Sequence, residues 1–179
     1  MHPLRKIVVA RVLALALVTL ALWQQQAATA DAQTTPPPER WLAPLDAPLH
    51  LVNPYFQPSS DYSAGHRGID YRVELDQQIY APVGGSVWFA GEVADRNLIS
   101  IRTKAGDLLE FEPACSQLVA GQQVLAGQPI ANVCDASENY RQHCDPQRCL
   151  HFSLRTTLGY LSPLVRYGEL APTVLLPVI

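Results

Sequence analysis

The chain is expected to be all-β, a mostly antiparallel sheet or sandwich. Three observations lead there. Short runs rich in Val, Ile and aromatic residues recur at roughly ten-residue spacing, at Ile69–Val73, Ser86–Val93, Leu98–Thr103, Leu108–Glu112, Pro129–Cys134 and Leu150–Leu154. Turn-forming clusters separate them: Val83-Gly84-Gly85, Asp95-Arg96-Asn97, Lys104-Ala105-Gly106-Asp107 and Ala126-Gly127-Gln128. No sustained helical period interrupts the series, and only Pro163–Tyr167 suggests a short helical turn.

Ahead of these strands lies a segment of different character. Arg5 and Lys6 precede an apolar stretch from Ile7 to Leu22, broken by Arg11 and Thr19. Ala28-Thr29-Ala30 then offers a small-x-small cleavage site. Residues 1–30 read as a secretory signal peptide, which places the protein outside the cell or in its envelope. An uncleaved anchor is the other reading, but Val12–Trp23 is shorter than the roughly 20 apolar residues that cross a bilayer. Residues 31–47 hold Pro36-Pro37-Pro38 and read as an extended linker. The β domain is expected over 48–168, with Leu49-His50-Leu51-Val52 as a first strand and His50 at the surface. Residues 169–179 form an apolar, proline-interrupted tail.

Composition excludes some functions. Net charge is −3 with no basic stripe, so nucleic acid is not an expected partner. No G-x-S-x-G, P-loop or G-x-G-x-x-G occurs, which leaves serine-hydrolase and nucleotide chemistry without support.

The residues that carry chemistry are His66-Arg67-Gly68-Ile69-Asp70 and, far downstream, Cys149-Leu150-His151-Phe152. Zinc takes imidazole nitrogen and carboxylate oxygen at about 2.0–2.2 Å, and catalytic sites use three protein ligands. In an extended strand, positions i and i+4 lie about 13 Å apart, too far for one ion. Ile69–Val73 nevertheless alternates as a strand does. A turn at Gly68, feeding a strand that begins near Asp70, reconciles the two, since glycine accepts the backbone angles of a turn. A solvated His and Asp in a loop remain the alternative at this point.

His66-x-Gly68-x-Asp70 followed by Leu150-His151-Phe152 resembles the lysostaphin/LytM-type zinc metallopeptidases of family M23. Ala81-Pro82-Val83-Gly84-Gly85-Ser86-Val87 is similar to the family's hairpin, and Val119–Ile130 to its segment with paired Gly-Gln steps. With Glu112-Pro113 and Cys144…Cys149-Leu150-His151, the chain looks like the cysteine-containing form of actinobacteria. The resemblance covers about residues 48–167. It implies the M23-type β fold, a zinc ion held by His66, Asp70 and His151, and hydrolysis of peptidoglycan peptides.

The same resemblance marks two departures. The family's proton-handling histidines correspond to Cys149 and Pro113, neither of which exchanges protons here; proline lacks even a donor. His143 and Glu112 are candidate substitutes. Strand alternation sets Glu112 on the face opposite Phe111 and Pro113, from which it would need a bulge to reach the site.

The four cysteines fall at 115, 134, 144 and 149, and an exported chain favours disulfides. Three pairings exist; Cys144–Cys149 with Cys115–Cys134 is the favoured one, and a four-cysteine structural zinc site is the alternative.

Two functions follow. One is an exported zinc metalloendopeptidase of peptidoglycan cross-bridges. The other is a catalytically inactive LytM-like protein that binds wall peptides or regulates a partner cell-wall hydrolase. A biotinyl-type carrier, suggested by Val124–Ile130, would need a modifiable lysine at a hairpin tip. Lys104, the one lysine after residue 30, has the wrong neighbours.

Overall fold

A computed structural model describes residues 40–60, 62–135, 144 and 146–167. Within them the chain forms eleven strands and one short helix. They are β1 (Leu51–Asn53), β2 (Gly68–Arg72), β3 (Gln78–Tyr80), β4 (Gly85–Val93), β5 (Arg96–Thr103) and β6 (Leu108–Glu112). Then come β7 (Ala114–Cys115), β8 (Gln123–Val124), β9 (Pro129–Val133), β10 (Cys149–Thr156), β11 (Gly159–Leu161) and α1 (Leu164–Tyr167).

The expected antiparallel all-β fold is present as two sheets. The large one runs β1-β2-β10-β6-β5-β4-β8, with β11 paired to β10, and the small one runs β3-β9-β7. The central strand β10 lies between β2 and β6, although β2 and β10 are about eighty residues apart in sequence. Sequence patterning located the long strands. It missed β3, β7, β8 and β11, which have two or three residues each, too few for alternation to register.

Alternation explains why the large sheet has an apolar face and a polar one. Ile69, Phe152, Phe111 and Ile99 lie opposite one another in register across β2, β10, β6 and β5. All four are fully buried, and the Phe111 and Phe152 rings stack with centroids 4.6 Å apart. Each such side chain contributes about 1.5–3 kcal/mol on burial. Together they rival the whole stability of a typical domain, ~5–15 kcal/mol. A one-residue slip of β10 would turn this row to solvent, so the core dictates the register. Ile79, Ala114 and Val133 of the small sheet belong to the same buried cluster.

The folded unit starts earlier than expected. Trp41 and Leu45 are buried in the core. Backbone bonds from Trp41 N to Arg166 O at 3.3 Å and from Leu42 N to Pro82 O at 2.8 Å fasten the segment. Residues 40–47 are thus packed chain rather than linker. The proline run before them lies outside the described residues, as do residues 1–30, 169–179 and His143.

Disulfides join Cys115 to Cys134 and Cys144 to Cys149. All four sulfurs are consumed, which disposes of a four-cysteine zinc site.

Candidate metal centre

The face opposite the aromatic row carries the site. β10 sets His151 opposite Asp70 of β2 and opposite Glu112 of β6, and β1 sets Asn53 opposite Asp70. Directly opposed residues share a face. Asn53, Asp70, His151 and Glu112 therefore form one row across four strands. Leu150 and Phe152, both fully buried, anchor His151 on either side and hold its ring toward the row.

His66 reaches the row from outside β2. It pairs with Phe56 in an isolated bridge, and the chain bends at Arg67 before β2 begins. An extended i,i+4 pair would set the two backbones ~13 Å apart; the bend lets the side chains meet, with His66 Nε2 3.2 Å from Asp70 Oδ1. His151 Nδ1 lies 2.8 Å from the same oxygen and 3.2 Å from His66 Nε2. The three candidate ligands are thus brought together.

Glycine at 68 serves space rather than turn geometry. The bend falls one residue earlier than expected, and Gly68 is the first residue of β2. A Cβ there would sit 2.5 Å from the Phe152 carbonyl oxygen and 2.6 Å from Cε1 and Nε2 of His151. Gly68→Ala should therefore destabilise the fold by the ~1–3 kcal/mol of overpacking and weaken zinc binding by displacing the His151 ring. Thermal unfolding and a zinc titration check this; unaltered zinc affinity would refute it.

The donor set fits a cation. His66 Nδ1 lies 2.8 Å from the Pro54 carbonyl oxygen, which can only accept, so Nδ1 bears the proton. In the neutral ring the Nε2 lone pair then faces Asp70 Oδ1 and His151 Nδ1. A proton on Nε2 or a metal ion relieves this convergence. Without metal the bond to Asp70, aided by Pro54 and opposed by burial, raises the His66 pKa above the ordinary imidazole value. Zinc bonds of about 2.0–2.1 Å in a tetrahedron set neighbouring ligand atoms about 3.3 Å apart, close to the spacings seen.

Surrounding groups hold the carboxylate. Asp70 is completely buried, and its Oδ2 accepts a bond from Asn53 Nδ2 at 2.8 Å. Such outer partners orient a ligand and tune its basicity. Cys144 Sγ packs 3.7 Å from the same oxygen. The Cys144–Cys149 disulfide thus backs the Asp70 side of the centre as well as the strand bearing His151.

Beside the centre opens a groove of about 390 Å³, whose lining includes His66, Arg96, Glu110, Glu112, His151 and Ser153. Here the sequence reading needs correction. Glu112 does lie opposite Phe111 and Pro113, but its face is the groove face, and no bulge is needed. Pro113 is buried, so the side chain offered to the groove from this part of β6 is Glu112, not Pro113. Which face of β6 carries the site is revealed only by its strand neighbours. Arg96 Nε donates to Glu112 Oε2 at 2.9 Å and fixes the carboxylate. Asn53, Arg96 and Glu110 were not singled out in the sequence, for no local motif marks residues joined only by strand register.

Two imidazoles and a carboxylate, set on an antiparallel sheet at the edge of a groove, make a candidate centre of the kind catalytic zinc proteins use. The chain belongs to peptidase family M23, whose sequence profile matches residues 64–163. It is 30% identical over 125 residues to Rv2891, an uncharacterized protein of Mycobacterium tuberculosis, a match covering 68% of this chain and 49% of the relative. The chain thus spans about half the length of the relatives it matches. Among solved structures, a zinc-containing peptidase from Vibrio cholerae superposes with a TM-score of 0.55 at 18% identity, covering 69% of this chain and 39% of that one. The SpoIIQ–SpoIIIAH pore-forming complex contains a chain that superposes with a TM-score of 0.60 at 16% identity, covering 74% and 93%. At these identities the structures establish the shared fold.

Proposed function

We propose that the protein is an exported zinc metalloendopeptidase that cleaves peptide cross-bridges of peptidoglycan. The convergence of His66, Asp70 and His151 beside an open groove carries this reading. When bound, zinc polarises a carbonyl and lowers the pKa of water. The chain's own residues do the rest. His66 Nε2, Asp70 Oδ1 and His151 Nδ1 would hold the ion. The groove admits an extended peptide, and Glu112 faces that groove with Oε2 engaged by Arg96. Its other oxygen, Oε1, is the proposed acceptor for a proton from the water molecule whose oxygen adds to the peptide carbonyl carbon. Protons could then return from Glu112 to the departing amine, as general acid–base catalysis requires.

A second reading is a wall-binding or hydrolase-regulating protein without turnover. What favours it is Cys149, which the disulfide removes from proton chemistry at a position where the family has a histidine. The two are separated by measuring zinc in the purified protein and the release of soluble peptides from peptidoglycan. Peptidase function requires bound zinc and release that a chelator abolishes. Zinc-loaded protein that retains wall peptides uncut would establish the binder instead.

A further inference from the structure

Glu110 occupies a distinctive place in the groove. It lies opposite Ser153 in the register of β6 with β10, two residues along from His151 and on the same face. Two strand residues span about 7 Å. That is also about two residues of an extended substrate, so a group held by Glu110 belongs to a residue near the bond over the metal centre.

The charges around it leave Glu110 available. Arg96 is committed to Glu112 at 2.9 Å and to Asp95 at 2.6 Å. Arg155, farther along β10, favours ionised Glu110 electrostatically but forms no ion pair with it. Among the described residues the sole hydrogen bond of the Glu110 side chain is a long one, 3.4 Å from Ser153 Oγ. An ionised carboxylate accepts about four. Burial, the largest influence, raises the Glu110 pKa, with Glu112 adding to the rise. This partly shielded carboxylate, which no cation among the described residues pairs, is therefore improved by an arriving cation.

We propose that Glu110 is a specificity-determining residue that receives a primary ammonium group carried by the bound peptide, within about two residues of the scissile bond. The ammonium group brings up to three donors, and bonds between opposite charges are roughly twice as strong as neutral ones. An acetylated amine offers a single neutral donor. The inference rests on the groove being the peptide site, as the peptidase reading has it.

The test uses the zinc-loaded chain and alanine tetrapeptides bearing one lysine at each position in turn, with the amine free or acetylated, and reads binding by calorimetry. At one or more positions the free amine should bind about tenfold tighter, the scale of a charge-assisted bond. Glu110→Gln should erase the preference and leave affinity for the acetylated twin unchanged, which also reports that the variant is folded. If Glu110→Gln does not fold, Glu110→Asp serves instead, and the preference should shrink as the carboxylate is withdrawn. Equal binding of every pair, binding of none, or a preference undiminished in the variants overturns the proposal. The readout does not depend on turnover. A preference in a chain that cuts neither twin sinks the peptidase reading alone, whereas equally fast cutting of both with no preference in binding sinks this one alone.

Discussion

Replacing Asp70 by alanine should abolish stable zinc binding. Loss of a group that merely orients a ligand typically costs 10–100-fold in metal affinity, and Asp70 is itself one of three ligand candidates. Its Oδ1 is the point on which the other two converge, at 3.2 Å from His66 Nε2 and 2.8 Å from His151 Nδ1. His66→Ala and His151→Ala should weaken binding in the same way, by more than about 100-fold, because no other described group stands by to replace them. Cys144 and Cys149 lie next to Asp70, but their sulfurs are joined to each other and present no thiolate. Zinc content after dialysis, followed by titration with the metal, measures the loss. Any one of the three variants retaining wild-type affinity would remove that residue from the ligand set.

Glu112→Gln should separate chemistry from metal binding. Zinc content is expected to stay at the wild-type level, while peptidoglycan hydrolysis falls by about 10²–10⁴-fold, the usual contribution of a general base. Glutamine keeps the shape and still accepts from Arg96 through its amide oxygen, so the fold and the Arg96 contact survive. The competing candidate is His143, which precedes Cys144 in the sequence and lies outside the described residues. His143→Ala should then leave hydrolysis nearly intact. The reverse outcome, with His143→Ala inactive and Glu112→Gln active, would transfer the role to His143. Full activity in both variants would show that neither carboxylate nor imidazole handles the proton.

The Cys144–Cys149 bridge shows how a departure from the family pattern is absorbed. It closes a loop of five residues in sequence separation, and chain-entropy arguments assign so short a loop only about 2 kcal/mol. Its more specific consequence is local. It locks the start of β10 immediately before His151 and sets a sulfur against Asp70 Oδ2. A position that could have carried a proton instead braces the ligands. In the mechanism proposed above, the proton-handling role falls instead to the next strand, where Glu112 stands opposite His151.

Much of this protein is determined by the sequence alone. Alternating Val, Ile and aromatic runs specified the long strands, because period two buries one face and solvates the other. His66 and Asp70 stand out by side-chain chemistry and local spacing, and the resemblance to the M23 motifs adds His151 to them. The cysteines could be paired because one pair is close in sequence. What only the tertiary structure decided was adjacency across strands. Glu110 and Glu112 look like ordinary polar positions of an amphipathic strand until β6 is seen beside β10. Asn53 looks like the residue before a proline break until β1 is seen beside β2. Trp41 and Leu45 follow a proline run and were read with it, yet they are buried against elements far along the chain, Trp41 bonding to Arg166. Gly68 suits a turn by its backbone freedom, whereas in the fold the space beside it is taken by His151 and the Phe152 carbonyl. Hydrophobic period tells each strand which side to bury. Which strand lies next to which depends on non-local packing, and that choice assembled the groove.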